Sequence, residues 1–441
     1  MTRALALTQT RFHGLASGFV AAAIETCLRP LQTLLACPAF LFLLALTAML
    51  FSHPDAPFHK VNRVTFAILT VGVLGRAIVL KQAMFRLDRA SRPMIALTVV
   101  VLVSLIGHQS DDATWALLTA KYLFPFALFH LVQSAFLEEK WFRRFELSLL
   151  AVLAYLSFTS IAFLIGAHSL IFPKFILNPD LGIQADRARG PFLQAVANGV
   201  SLNILGILVL HGYWRGSLRS MKALVLLASV PIAILATMTR AVWIAFAVSV
   251  IALLFLSRSL KAQIAALVCV AISAFALGVV MNTTQLGVTL GDRAEESSPV
   301  EYREAVYRGG WQMFLERPWI GWGFHQMPEY LPKYVREFHD GVLYPHNTYL
   351  EVLVENGLPG FSLYAWLMWE MWRLGRSRVP ADEQKGFLDA QFHRLWPILL
   401  AVYWINAAVV VMSYHFVNGI LFSLAGMLAA QRRRAEGVAR C

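Results

Sequence analysis

Apolar windows of about 20 residues recur along the chain, a length that matches the hydrocarbon thickness of a bilayer when coiled as helix. Twelve such windows stand out, at roughly 33–52, 64–81, 94–108, 113–135, 147–171, 192–213, 221–238, 239–257, 261–281, 347–373, 394–414 and 416–431. Each predicts a membrane-spanning helix. The third and twelfth are short, the pair flanking Arg240 is almost contiguous, and Gly357 and Pro359 predict a kink in the tenth. Residues 1–30 carry Arg3, Arg11 and Arg29 in an amphipathic pattern and predict a segment lying along the membrane surface, with a thirteenth span as the alternative. No short apolar core with a small-residue cleavage site opens the chain, so insertion is expected to rely on the first span.

The longest polar break is 282–346. Within it Glu301 to Leu315 is patterned as a helix that Glu316-Arg317-Pro318 ends, Gly321-Trp322-Gly323-Phe324 reads as a turn, and 327–338 predicts a second short helix. A segment of about 65 residues is too small to bury a full core alone. It is expected to pack on the bundle as a lid, using Trp311, Trp319 and Trp322. The chain therefore divides into a bundle over 1–281, this segment over 282–346, and further spans with a tail over 347–441. The expected fold class is an all-α integral membrane protein.

Composition agrees with that pattern. Hydrophobic residues make up 58% and charged residues 15%, with a mean hydropathy of +0.60, which excludes a soluble globular protein. The net charge of +12 could suggest nucleic acid, but its distribution argues otherwise. With the N-terminus in the cytoplasm, 24 basic residues fall in inside segments and 12 in outside ones, while Arg76 and Lys121 lie within spans. The charge is thus a topology signal with both termini inside. Arg76 can snorkel to the inner surface, whereas Lys121 is expected to pair within the bundle. The four cysteines, Cys27, Cys37, Cys269 and Cys441, show neither a disulfide framework nor metal-ligand spacing.

Candidate chemistry gathers on the outside face. Tyr344-Pro345-His346-Asn347-Thr348-Tyr349-Leu350 stands where the polar segment returns to the membrane. Asn347 or Thr348 can cap a helix running to Asn356-Gly357, which puts His346 at a helix N-terminus. The positive end of the helix dipole is expected to lower its pKa and favour the neutral imidazole that a general base needs. Arg187 and Arg189 precede Gly190-Pro191, and Arg240 follows the tight turn Thr237-Met238-Thr239. Arginines this close to a membrane on its positive-poor side call for an anionic partner, and guanidinium forks match phosphate oxygens. Arg293, Arg303, Arg308 and Arg336 extend the set.

Plainer readings compete with these. Arg187 or Arg189 can pair with Asp180 or Asp186, and Arg240 can snorkel to headgroups. The tryptophans and tyrosines of the outer segment form an interfacial belt before they form sugar platforms. His53, His59, His325 and His339 read first as solvated, although His325 is also carried in the substrate-binding set. The pair Asp111-Asp112 lacks a metal signature. A transporter or flippase with Lys121 and Arg240 as pathway charges is a reading from another class, opposed by the absence of an internal repeat.

Residue order adds a resemblance. Pro345-His346-Asn347-Thr348-Tyr349-Leu350 followed by Glu355-Asn356-Gly357-Leu358-Pro359-Gly360 resembles the histidine-to-glycine pattern of the O-antigen ligase and polymerase superfamily of bacterial membrane glycosyltransferases. Tyr302-Arg303, Trp311 and Arg317-Pro318-Trp319-Ile320-Gly321-Trp322-Gly323 look like the run that precedes that histidine. Thr239-Arg240 resembles the T-x-S-R turn, with Thr239 in place of the usual serine. Arg187-Ala188-Arg189-Gly190-Pro191-Phe192 with Asn198 resembles the R-x-x-G-x-F…N segment, and spacing favours Arg187 as the counterpart.

The resemblance implies a GT-C-like bundle in the bacterial inner membrane with a periplasmic active site. It implies a donor glycan on undecaprenyl pyrophosphate and, for a ligase, lipid A–core as acceptor; a polymerase would use a second lipid-linked glycan. His346 would be the general base, and Arg187, Arg189, Arg240 and Arg303, with Tyr302, His325 and Asn347, would bind the donor's pyrophosphate and substrate. Direct displacement would invert the anomeric centre. No metal or other cofactor is expected, and no nucleotide or nucleic acid. The compact chain with one large external segment favours ligase over polymerase.

Overall fold

The computed structural model describes residues 37–79, 87–106, 111–136, 138–256, 298–335, 343–377, 379–380 and 386–438. Among them the chain is helical, with no strand. The helices are α1 (Pro38–Ala48), α2 (Val61–Val79), α3 (Ser91–Ser104), α4 (Asp112–Leu118), α5 (Phe124–Ala135), α6 (Glu139–Leu164), α7 (Ala195–Arg215), α8 (Met221–Leu235), α9 (Arg240–Leu256), α10 (Ser298–Glu316), α11 (Met327–Tyr330), α12 (Thr348–Leu374), α13 (Ala390–Ala407) and α14 (His415–Val438). Each expected span overlaps a described helix except 261–281, which lies outside the described residues, as do residues 1–30, Arg293, Arg336 and His339.

Among the described residues four stretches are long and apolar enough to cross a membrane: Val61–Ile78, Asp112–Ala135, Glu139–Leu164 and Ala195–Arg215. Pro38–Phe51, Ser91–Ser104, Met221–Leu235 and Arg240–Leu256 are shorter apolar helices. The most enclosed is α7, almost all of whose residues are buried by neighbours on every side. It touches α6, α8 and α13.

Polar contacts sort the helix ends into two groups. At one end Asp55 accepts from the Gly182 amide (2.8 Å), Ala188 N–H donates to Ala236 (3.1 Å), and Phe324 N–H donates to Ser104 Oγ (3.1 Å). At the other end Arg215 pairs with buried Glu146 (2.6 Å), His211 meets Asp389 (3.0 Å), and Arg433 lies 3.8 Å from Asp88. The segments expected outside and those expected inside thus fall at opposite ends of the bundle. Helix α6 begins at Glu139, eight residues or about two turns before the expected span, and Arg215 neutralises the one carboxylate that these turns bury, Glu146.

The kink in α12 is present and has a definite cause. Gly357 leaves helical geometry (φ 62°, ψ −169°), which breaks the run of backbone bonds. The 317–323 stretch takes up the released groups. Leu358 N–H donates to Pro318 (2.8 Å), Trp322 N–H to Val354 (3.0 Å) and Gly323 N–H to Glu355 (2.9 Å). The approach is close enough that a Cβ on Gly357 would sit 2.6 Å from the Trp319 carbonyl oxygen. Around this junction Val306, Met313, Trp322, Met327 and Leu331 form a small core that is completed by Leu350 and Val354 of α12. The 298–335 stretch therefore borrows part of its core from α12.

Two local expectations change. Residues 408–414, read as the end of the eleventh span, form a non-helical loop between α13 and α14. Its run of valines looks like membrane helix, but its backbone is claimed from elsewhere. Tyr307 Oη donates to Ala408 (3.2 Å), and Thr348 Oγ1 donates to Val410 (2.9 Å) while accepting from Met412 N–H (2.9 Å). Arg189 is 1% exposed. Its guanidinium donates to the carbonyls of Ile176 (3.0 Å), Asn178, Leu181 and Ile183 (3.4 Å), so it is a pin for the loop before α7. It pairs with neither aspartate; Arg187 Nε instead lies 3.7 Å from Asp186.

Replacing Gly357 by alanine forces a side chain into left-handed backbone and into the Trp319 carbonyl. A loss of at least about 1–3 kcal/mol is expected, read as a lower melting temperature of the detergent-solubilised protein. Gly75→Ala, where nothing lies within 4 Å, is the neutral control. Arg189→Met leaves buried carbonyls without donors, at roughly 1–3 kcal/mol each. It should lower the melting temperature and speed proteolysis within 172–191, whereas Arg187→Met should leave both near wild type.

Candidate functional site

The loop ends at the Asp55 side of the bundle enclose a cavity of about 670 Å³. Arg187, Arg240, Tyr302, Arg303, His325 and His346 all line it, although the first and last are separated by more than 150 residues of chain. Arg189 lies outside the lining for the reason already given, and Asn347 does so as well. Asn347 is the N-cap of α12: its Oδ1 accepts from the amides of Tyr349 (2.9 Å) and Leu350 (3.1 Å).

Each lining group is held by the local fold. Arg240 is the first residue of α9, reached through a turn in which Thr237 Oγ1 bonds Ile234 (2.7 Å) and Thr239 Oγ1 bonds the Thr237 carbonyl (2.9 Å). These hydroxyls replace water in a turn that is itself buried. Arg303 and Tyr302 project from the first turns of α10. The Tyr302 ring stands edge-on to His346 with centroids 5.8 Å apart, and its hydroxyl accepts from Tyr344 N–H (3.0 Å). Tyr307, one turn further along α10, donates to the His346 carbonyl (3.3 Å). Helix α10 therefore touches both the ring and the backbone of His346.

Backbone strain collects here. Five described non-glycine residues have positive φ: Gln184, Leu193, Met238, His325 and His346. All but Leu193 line the cavity. Such conformations cost free energy and persist where the surroundings impose them, which is frequent at functional sites.

The pKa of His346 is lowered, as expected, but the cause differs from the expected helix dipole. Burial comes first, and the positive charge of Arg303 second. The amides at the α12 terminus are meanwhile occupied by Asn347. His325 is half-buried rather than solvated, and burial, then Lys121, lowers its pKa too. Both imidazoles are held toward the neutral form. Asp111 at the nearby start of α4 is a helix cap, accepting from Thr114 N–H (2.8 Å) and Oγ1 (2.6 Å). Among the described residues no cluster of histidine, cysteine or carboxylate side chains could hold a metal ion.

The sequence reading missed part of the lining. Gln184, Gln194, Ser413 and Tyr414 belong to loops whose meeting no sequence period signals. Glu351 is the more informative omission. It lines the cavity and forms a buried ion pair with Lys121, each side chain being 4% exposed. The signal existed, because a lysine inside an apolar span requires a counter-ion. Arginine and neutral imidazole groups round one cavity can bind an anionic leaving group and accept a proton from an attacking hydroxyl.

A search of curated proteins finds no match. Residues 222–365, which run from the start of α8 through Arg240, Arg303 and His346 into α12, match the family model described as O-antigen ligase. That match covers about a third of the chain, and over it the chain is similar to the O-antigen ligase family.

Proposed function

We propose that the chain is an O-antigen ligase, which transfers a glycan from undecaprenyl pyrophosphate to a sugar hydroxyl of lipid A–core and so completes lipopolysaccharide. The observation that carries this reading is the convergence of His346, Arg187, Arg240 and Arg303 on one cavity, three of them within the matched family domain. The cavity would face the periplasm, with the other end of the bundle and both termini in the cytoplasm of the inner membrane, in line with the bias of basic residues. Residues 298–335 and 343–346 of the polar segment would form a wall of the site.

In the proposed reaction the acceptor hydroxyl attacks the anomeric carbon while the bond to the pyrophosphate oxygen breaks. His346, kept neutral by burial and by Arg303, takes the hydroxyl proton. The arginines stabilise the negative charge that grows on the departing diphosphate. Displacement in one step inverts the anomeric centre.

The test is glycan transfer by the purified protein, given undecaprenyl-pyrophosphate glycan and lipid A–core in the presence of EDTA. Wild type should produce ligated lipopolysaccharide. His346→Ala should lower kcat/KM by about 10²–10⁴-fold, the usual worth of a general base. Arg240→Ala should lower it by about 10²–10³-fold, as for a lost transition-state donor. Wild type that only lengthens lipid-linked glycan would replace the ligase by a polymerase. His346→Ala protein that ligates at the wild-type rate would remove the general-base assignment.

The pH profile supplies a second check. A base with a lowered pKa stays active down to its own pKa, so log(kcat/KM) should be flat through neutrality and fall only below the ordinary histidine value of 6.5. Arg303 contributes to that lowering, so Arg303→Gln should move the acidic limb to higher pH. A limb that stays in place or moves down would show that Arg303 does not act on the titrating group.

A further inference from the structure

The cavity is not uniformly cationic. Arg187, Arg240 and Arg303 contribute positive charge to its wall, but Glu351 contributes a carboxylate. The two kinds of charge accompany different histidines. The charge acting on His346 is that of Arg303, whereas the charges acting on His325 are those of Lys121, Glu351 and Asp111. Arg303 therefore lies by His346, while the Lys121–Glu351 pair lies by His325 at another part of the wall.

The Lys121–Glu351 pair is built with care for its geometry. Lys121 sits in a π-helical turn, Thr119–Leu123, inserted between α4 and α5. Such turns displace a side chain from the regular helical track and are frequent at functional sites. Its ammonium group bonds Glu351 and lies 5.8 Å from the centre of the fully buried Phe324 ring. One turn along α12, Glu355 is 1% exposed and its Oε1 has no hydrogen-bond partner. A buried lysine–glutamate pair is a poor way to gain stability, because apolar residues of similar volume usually do as well. A charged pair of which one member faces the cavity points to a use for that charge.

We propose that Glu351, held in place by Lys121, is the binding residue for the acceptor sugar. This inference rests on the glycosyl-transfer reading above. A carboxylate offers a diphosphate only acceptor oxygens and no donor, yet even when paired with Lys121 it can accept hydrogen bonds from sugar hydroxyls. The polarity of the cavity thus assigns the diphosphate to the arginines and the acceptor's hydroxyls to Glu351. Bound there, the acceptor would present its attacking hydroxyl toward His346, five residues before Glu351 in the chain. Glu351 takes no proton and forms no bond in this scheme; it selects and orients the acceptor.

The experiment uses the full-length purified protein and varies each substrate with the other saturating. Glu351→Gln alone strands Lys121, so the informative variant is the double substitution Lys121→Met with Glu351→Gln, which removes both charges together. Its melting temperature should stay near wild type and its donor KM within about twofold, while its acceptor KM rises about 10-fold or more, the usual loss of a charge-assisted hydrogen bond. Binding of fluorescent delipidated core oligosaccharide should weaken by a similar factor, a readout that does not need transfer. If the double variant does not fold, Glu351→Asp, which retains the pair's charges, carries the same comparison. An unchanged acceptor KM in a folded variant would make the pair structural and overturn the proposal, as would an equal rise in donor KM. Wild type that binds the oligosaccharide through Glu351 yet transfers nothing would instead overturn the reaction and leave the subsite standing.

Discussion

The first turn of α12 is tied down from several sides, and the site's geometry hangs on those ties. Asn347 caps it, Thr348 bridges it to both Val410 and Met412, Tyr307 holds the preceding carbonyl, and Glu351 locks it sideways to Lys121. None of these bonds exceeds 3.3 Å. The physical demand behind them is general: irregular backbone next to a membrane must be satisfied internally, because lipid offers no hydrogen bonds. Meeting that demand also fixes where the His346 ring can stand. The bonds that make the loops tolerable at this depth are therefore the bonds that orient the candidate base.

The same economy governs the kink ten residues further on. A straight α12 would satisfy its own backbone and have no use for the 317–323 stretch. Gly357 breaks the ladder, and that stretch is then required to complete it. The external segment is in consequence anchored by hydrogen bonds as well as by the apolar contacts of Trp322, Met327 and Val354. Arg303 and Tyr302, on the helix at the other end of that segment, inherit a defined position against His346.

Charge is distributed with similar discrimination. Arg187 and Arg189 are two residues apart and chemically identical, yet one lines the cavity and the other is wholly spent on backbone carbonyls. The pin makes the lining residue possible, since the loop that carries Arg187 has little regular structure of its own. Likewise Lys121 is committed to Glu351, whereas Arg187, Arg240 and Arg303 line the cavity. A guanidinium or ammonium group near a membrane thus has either a ligand-facing or a structural role, and only its partners distinguish them.

Periodicity and composition by themselves determined that this is an all-helical membrane bundle with a polar segment between 282 and 346. The cost of burying backbone and charge in lipid leaves few other solutions for such a pattern. The cap at Asn347, the break at Gly357 and the buried turn before Arg240 were also legible, because caps, glycines and short hydroxyl residues act through neighbours in the chain. The tertiary structure alone decided which of two arginines reaches the cavity, that 408–414 is loop rather than helix, and that Lys121 answers to Glu351. Those outcomes depend on partners tens to hundreds of residues away. An apolar loop whose carbonyls are claimed by Thr348 and Tyr307 looks, in sequence, like one more turn of membrane helix. Local pattern carries the energy of a residue's own neighbourhood; it carries nothing about which distant donor will come to rest beside it.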